Sequence, residues 1–174
     1  ALIGREDELA ALAEHWLAVC GGSGRVAVLR GGPGVGKSRI AREVAERCER
    51  DGTTLWIRCD RLRRTSPLWP LRQVLEAASP NGYGLTIDDV DRAAEQLGLA
   101  DTAPLVRFAL GLTDRAPLEL DPLSLHREVL TTLRRWLVAL ASVRPVLLVI
   151  DDLHWADAST VELVELVAAN PVPQ

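Results

Sequence analysis

Apolar positions along the chain fall into blocks with two different periods. Leu9, Leu12, Trp16 and Val19 recur at three- and four-residue steps after a short lead-in, which predicts an amphipathic helix within residues 1–20, ended by Gly21-Gly22-Ser23-Gly24. Val26 to Leu29 is a short apolar run and a candidate buried strand. Ile40, Ala41, Val44, Ala45 and Cys48 return to helical spacing. Asp51-Gly52 then turns the chain into Thr53 to Cys59, a segment rich in β-formers.

The middle of the chain is less regular. Ser66-Pro67-Leu68-Trp69-Pro70-Leu71 leads into an expected helix with Leu71, Val74 and Leu75 on its apolar side. Further helices are expected near Ile87 to Leu97 and Ala103 to Leu112. Asp121-Pro122 is a strong helix start, with Asp as cap and Pro in the first turn, and Leu125, Val129, Leu133, Trp136, Leu137 and Leu140 carry the stripe to about Val143. Arg144-Pro145 stops it. Val146 to Ile150 is an unbroken apolar run, the pattern of a parallel strand covered on both faces. A last helix follows, with Ser159-Thr160-Val161-Glu162 read as a capping box and Asp157 as a second candidate cap.

Between the run at 26–29 and the helix that follows lies Gly31-Gly32-Pro33-Gly34-Val35-Gly36-Lys37-Ser38, which fits G-x-x-x-x-G-K-[ST] in the strand–loop–helix setting that the pattern requires. Polyphosphate binding needs several backbone N–H groups converging on one anion, and side chains at those positions would block the approach. A helix opening near Lys37 adds its unsatisfied N–H groups and the positive end of its dipole. Lys37 is placed to reach the β- and γ-phosphates, and the Ser38 hydroxyl to ligate Mg2+. Of the 20 basic residues, Lys37 is the single lysine. A compact ammonium on a flexible stem thus stands at the position that uses one.

The second informative stretch ends in Asp151-Asp152. Open α/β sheets bind ligands beyond the carboxyl ends of their strands, so Asp151 is the expected Mg2+ ligand opposite Ser38 and Asp152 the group that polarises an attacking water. Motifs 31–38 and 146–152 supply complementary halves of one Mg-nucleotide site. His154 is expected to pack or to orient a neighbour, with proton transfer as the alternative. His126 reads as helix surface, and Arg58, Arg61, Arg63 and Arg64 as a solvated basic loop.

Composition narrows the class. The chain has 174 residues, a net charge of −4 and no Met, which suggests one domain, cut from a longer protein, with no broad basic surface for nucleic acid. Its 3 cysteines, Cys20, Cys48 and Cys59, lack metal-ligand spacing and read as small core residues of a reducing compartment. No apolar run is long enough for a bilayer span, and a cytoplasmic location is expected.

Leu2-Ile3-Gly4-Arg5-Glu6 with Glu8-Leu9, the phosphate loop, Pro67-Leu68-Trp69-Pro70-Leu71, and Val149-Ile150-Asp151-Asp152-Leu153-His154-Trp155-Ala156-Asp157 together resemble the AAA-type ATPase domain of bacterial STAND regulators. That group includes large LuxR-type transcriptional regulators and related cyclase- or kinase-linked proteins. The resemblance implies a three-layer α/β P-loop NTPase of the AAA-like class with a mostly parallel sheet ordered 5-1-4-3-2. Residues 1–174 would be its N-terminal and central part, with the last strands, the sensor residue, any arginine finger and the winged-helix elements lying farther along the parent chain.

The resemblance gives Ile3, Gly4 and Arg5 a place over the adenine. It makes Gly32, Pro33, Gly34, Val35, Gly36, Lys37, Ser38 and Arg39 the phosphate-side contacts of ATP or ADP, Ser38 and Asp151 the Mg2+ ligands, and Lys37 and Asp152 the catalytic pair. Leu125-His126 stands where the family commonly has Leu-Phe, a difference that touches packing alone. The implied function is a slowly hydrolysing ATP switch in a multidomain signalling or transcription regulator. Its expected partners are nucleotide and further domains of the same chain, with self-assembly when ATP is bound and no direct contact with nucleic acid or membrane. A non-catalytic interaction module and a P-loop phosphotransferase are the alternatives.

Overall fold

The computed structural model describes residues 4–63, residue 72 and residues 84–169. The expected lead-in and helix around Ser66 to Leu75, apart from Arg72, lie outside the described residues, as do Arg64 and Ile3.

Helix α1 spans Glu6–Cys20 and α2 spans Lys37–Cys48. They pack side by side through Leu9, Leu12 and Trp16 on one and Ile40, Val44 and Cys48 on the other, the faces that their apolar spacing predicts. Strands β1 (Thr53–Arg58) and β2 (Val146–Asp151) pair in parallel, from Thr53 opposite Val146 to Arg58 opposite Asp151. This is the neighbourhood that the implied strand order gives to the second and third strands.

Alternation along β2 divides its side chains between two cores. Leu147 joins the α1–α2 cluster, while Leu148 and Ile150 meet Ile57, Cys59, Trp155, Ala156 and Val161. Both sheet faces are therefore in contact with other elements, although every residue of β2 keeps some exposure.

The run Val26 to Leu29 corrects an expectation. It carries no ladder among the described residues, and Val26 and Val28 are 54% and 65% exposed. Apolar content says that a segment favours burial, but a strand needs a neighbour's N–H and C=O groups alongside. Among the described residues β2 pairs with β1, and no strand lies alongside 26–29. Only Leu29 of the run reaches a core, packing beside the α1–α2 cluster.

The remaining helices form a second apolar core: α3 (Ile87–Gln96), α4 (Ala103–Ala109), α5 (Pro122–Val143) and α6 (Ala158–Ala169). Val90, Ala94, Val106, Leu133, Trp136 and Leu163 are buried there. Thr86 and Asp89 make a reciprocal capping box on α3. Helix α4 stops three residues before its expected end because Gly111, at φ 68°, turns left-handed and returns its N–H to Phe108 O. Asp121 caps α5 through the N–H groups of Leu123 and Ser124, as its position predicts. The cap of α6 is Asp157, whose carboxylate accepts from Thr160 N and Thr160 Oγ1. The box expected on Ser159 is therefore displaced by two residues.

Candidate nucleotide site

The phosphate loop is shaped by two left-handed glycines. Gly34 has φ 77° and Gly36 φ 93°, conformations that an L side chain adopts at a cost of about 1 kcal/mol or more. A Cβ built at Gly32, Gly34 or Gly36 would meet no atom within 4 Å, so the glycines keep open the space above the loop. Gly36 precedes α2, and its carbonyl accepts the first helical bonds, from Arg39 N and Ile40 N. Pro33 and Val35 are exposed along the loop, and Arg39 is exposed in the first turn of α2. The Lys37 side chain curls over the loop, donating from Nζ to Gly31 O at 3.0 Å and Gly32 O at 2.9 Å. Its ammonium thus lies on the loop's own carbonyls, within reach of whatever the loop cradles.

Asp151 ends β2 beside this loop. Ser38 Oγ donates to Asp151 Oδ1 at 2.9 Å, and the Asp152 N–H donates to the same oxygen at 3.2 Å. Asp151 Oδ2 is buried and has no hydrogen-bond partner. A buried carboxylate oxygen without a donor is costly unless a cation meets it. Hydroxyl and carboxylate oxygens are the ligands that Mg2+ takes, usually one or two from protein with phosphates and waters completing the octahedron. No group of three or more His, Cys, Asp or Glu suited to a metal occurs among the described residues, so an all-protein cage is not the design. The residues present fit a nucleotide-borne Mg2+.

Asp152 sits at φ 56° and ψ 41°, the one left-handed residue other than glycine among those described. This conformation turns the chain off the sheet into a 3-10 turn at Leu153–Trp155, closed by Trp155 N on Asp152 O at 2.8 Å. The Asp152 side chain is left exposed just beyond the strand. Trp155 lies 4.9 Å from the exposed His154 ring and beneath Arg61, whose Cζ is 5.5 Å from the Trp155 centroid. Arg61 is therefore no isolated solvated charge: the loop after β1 folds onto the second acidic motif. Its place follows from the parallel pairing, which brings the carboxyl ends of β1 and β2 to one edge, and only that pairing reveals it.

Arg5 approaches from the other side. Its guanidinium donates from Nη1 to Glu8 Oε1 at 2.6 Å and from Nη2 to Val35 O at 3.3 Å, while Gly4, at φ 74°, gives its N–H to Glu6 Oε1. Arg5 thus touches the phosphate loop, and Gly4 precedes it in the chain. The tie to Val35 O had no sequence signal.

Cys59 is buried next to this edge, its N–H on Asp151 O, and its thiol is pushed up to about 11 by burial and then by Asp157, Asp152 and Asp151. Cys48 is buried likewise, whereas Cys20 is exposed at the end of α1, contrary to the expectation of three core thiols. His126 pairs with Glu162 of α6 at 2.7 Å on the helix surface.

The chain is 30% identical to an uncharacterized protein of Rhizobium meliloti (strain 1021) over 182 aligned residues, covering 98% of this chain and 18% of that protein. It thus spans under a fifth of that relative's length. No solved structure matches. The family described as AAA ATPase domain matches residues 1–172, and the chain belongs to that family.

Proposed function

We propose that this domain binds ATP with Mg2+ at the edge formed by the phosphate loop and Asp151, hydrolyses it slowly, and acts as the nucleotide switch of a larger signalling or transcription regulator of the STAND type. The observation that carries the reading is the Ser38–Asp151 contact beside the unpartnered Asp151 Oδ2. It joins the two motifs at one point and leaves a buried anion facing it.

Each residue has a task in this reading. The loop's N–H groups and the start of α2 bind the phosphates. Lys37 exchanges its bonds to Gly31 O and Gly32 O for phosphate oxygens, and Ser38 with Asp151 holds the metal. Bound there, Mg2+ neutralises charge on the β- and γ-phosphates. Asp152 accepts a hydrogen bond from the attacking water and takes its proton as the water oxygen bonds to the γ-phosphorus. The bond from that phosphorus to the bridging oxygen breaks, leaving ADP and phosphate. A switch needs different contacts in its two states, and the γ-phosphate against Lys37 and Asp152 supplies the difference.

The test is denaturation of purified wild type and Lys37→Ala protein, followed by chromatography of any released nucleotide and titration of the intact protein with Mg-ATP. Nucleotide on the wild type alone, with slow phosphate release from ATP, is the expected result. Failure of the intact protein to bind Mg-ATP would remove the reading and leave an interaction module.

A further inference from the structure

Helix α1 is anchored along its length. Leu9 and Leu12 pack on α2, and the Trp16 ring lies against Gly52 at the turn into β1. Its start is therefore a fixed platform, and Arg5, the residue before the first helical turn, is presented from that platform. Glu8, one turn on, holds one arm of the guanidinium at 2.6 Å, and Arg5 in turn draws the Glu8 carboxyl below its usual range. The other arm reaches 30 residues along the chain to Val35 O. A guanidinium is suited to this because its donors form a rigid fork.

The peptide that Arg5 grips joins Val35 to Gly36, in the middle of the phosphate loop, with left-handed Gly34 and Gly36 on either side. A trans peptide is planar, and its C=O and N–H point in opposite directions. Holding Val35 O toward α1 therefore aims the Gly36 N–H away from α1. Gly36, whose φ sets one side of that plane, has little intrinsic preference to hold it, since glycine adopts either hand of φ.

We infer that Arg5, oriented by Glu8, is a positioning residue of the phosphate loop: it sets the 35–36 peptide plane so that the Gly36 N–H faces the anion. This rests on the nucleotide reading above and deepens it. The role differs from an adenine contact, because it acts on any polyphosphate whether or not a base is attached.

The test uses the intact protein and two probes, Mg-ATP and Mg-tripolyphosphate, against wild type, Arg5→Ala and Glu8→Gln. A hydrogen bond made by a charged donor is worth about tenfold in affinity. Arg5→Ala is expected to weaken both probes by about that factor, equally, and Glu8→Gln to weaken both by less, with helix content unchanged. A loss confined to ATP would overturn the proposal and return Arg5 to the adenine. Unchanged tripolyphosphate binding in both variants would overturn it as well. If Arg5→Ala fails to fold, Glu8→Gln decides by the same comparison. Wild type that binds neither probe would sink the nucleotide reading itself, an outcome distinct from any difference between variants.

Discussion

Ser38 and Asp151, 113 positions apart in the chain, share a hydrogen bond of 2.9 Å. The contact forms because α2 lies against β2, which brings the first turn of the helix to the carboxyl end of the strand. One oxygen of Asp151 is committed to Ser38 and to the Asp152 N–H, and the other, Oδ2, remains buried and unmatched. Asp151→Asn keeps an acceptor for Ser38 and removes the charge. Its ATP affinity should lose the gain that Mg2+ gives over EDTA, on the order of 10- to 100-fold, with little change in melting temperature. A variant whose affinity still rises with Mg2+ as the wild type's does would take Asp151 out of the metal site.

Gly52 is buried at the turn between α2 and β1, where a Cβ would stand 2.5 Å from Pro145 O and 2.5 Å from Trp16 Cη2. One of these neighbours is backbone and the other a ring fixed in the α1–α2 core. Gly52→Ala is therefore overpacked and should destabilise the fold by about 1–3 kcal/mol in denaturant unfolding. Trp16→Ala opens half of that crowded space, so the double variant should be less destabilised than the sum of the two single ones. Strict additivity would mean that the clash falls on Pro145 alone.

Cys48 and Cys59 have thiols pushed up from 9.0 to about 11, in both cases chiefly by burial. A raised thiol value means that the folded chain holds its protons more tightly than the unfolded chain. Between pH 9 and 11 the unfolded state thus binds fewer protons, and stability falls as pH rises. Below pH 9 both states are protonated and the contribution is fully present. Replacing both residues with Ala should flatten the decline of the urea midpoint between those pH values. At pH 8 a thiol reagent should modify exposed Cys20 first and the buried pair only as the fold opens. Equal labelling of all three would contradict the burial.

Local signals in the sequence located most helices and both ladder strands, because each carries its own period, cap or stop. The stripe on α5 with Asp121 before it and Pro145 after it is the clearest case. Val26 to Leu29 shows the limit: its side chains resemble those of β2, yet strand pairing depends on what lies alongside, and that is a property of the whole chain. The site divides in the same way. Lys37, Ser38, Asp151 and Asp152 stand out as candidates because phosphate and Mg2+ chemistry uses those residue types, and the fold brings Ser38 and Asp151 into contact. The Arg5–Val35 and Arg61–Trp155 contacts join arginines to partners far away in sequence, and although the motif at 2–6 singles out Arg5, no local pattern names Val35 or Trp155 as the partner.

Asp152 combines a chemical expectation with a backbone one, and two substitutions separate them. Its left-handed φ of 56° suits Asn and Asp, whose short polar side chains tolerate that region, and penalises Ala by about 1 kcal/mol. Asp152→Asn should therefore leave the 3-10 turn through Trp155 and the stability of the fold intact. It removes only the carboxylate proposed to take the water proton, so ATP binding should persist while hydrolysis slows by roughly 100-fold or more. Asp152→Ala should slow hydrolysis to the same degree and also lower the melting temperature, because the turn is strained. Phosphate release and thermal unfolding measured on both variants give four values with one expected pattern: two equal losses of rate and a single loss of stability. If Asp152→Asn turns over ATP like the wild type, the proton goes elsewhere, and His154, exposed two residues farther on, becomes the residue to replace next.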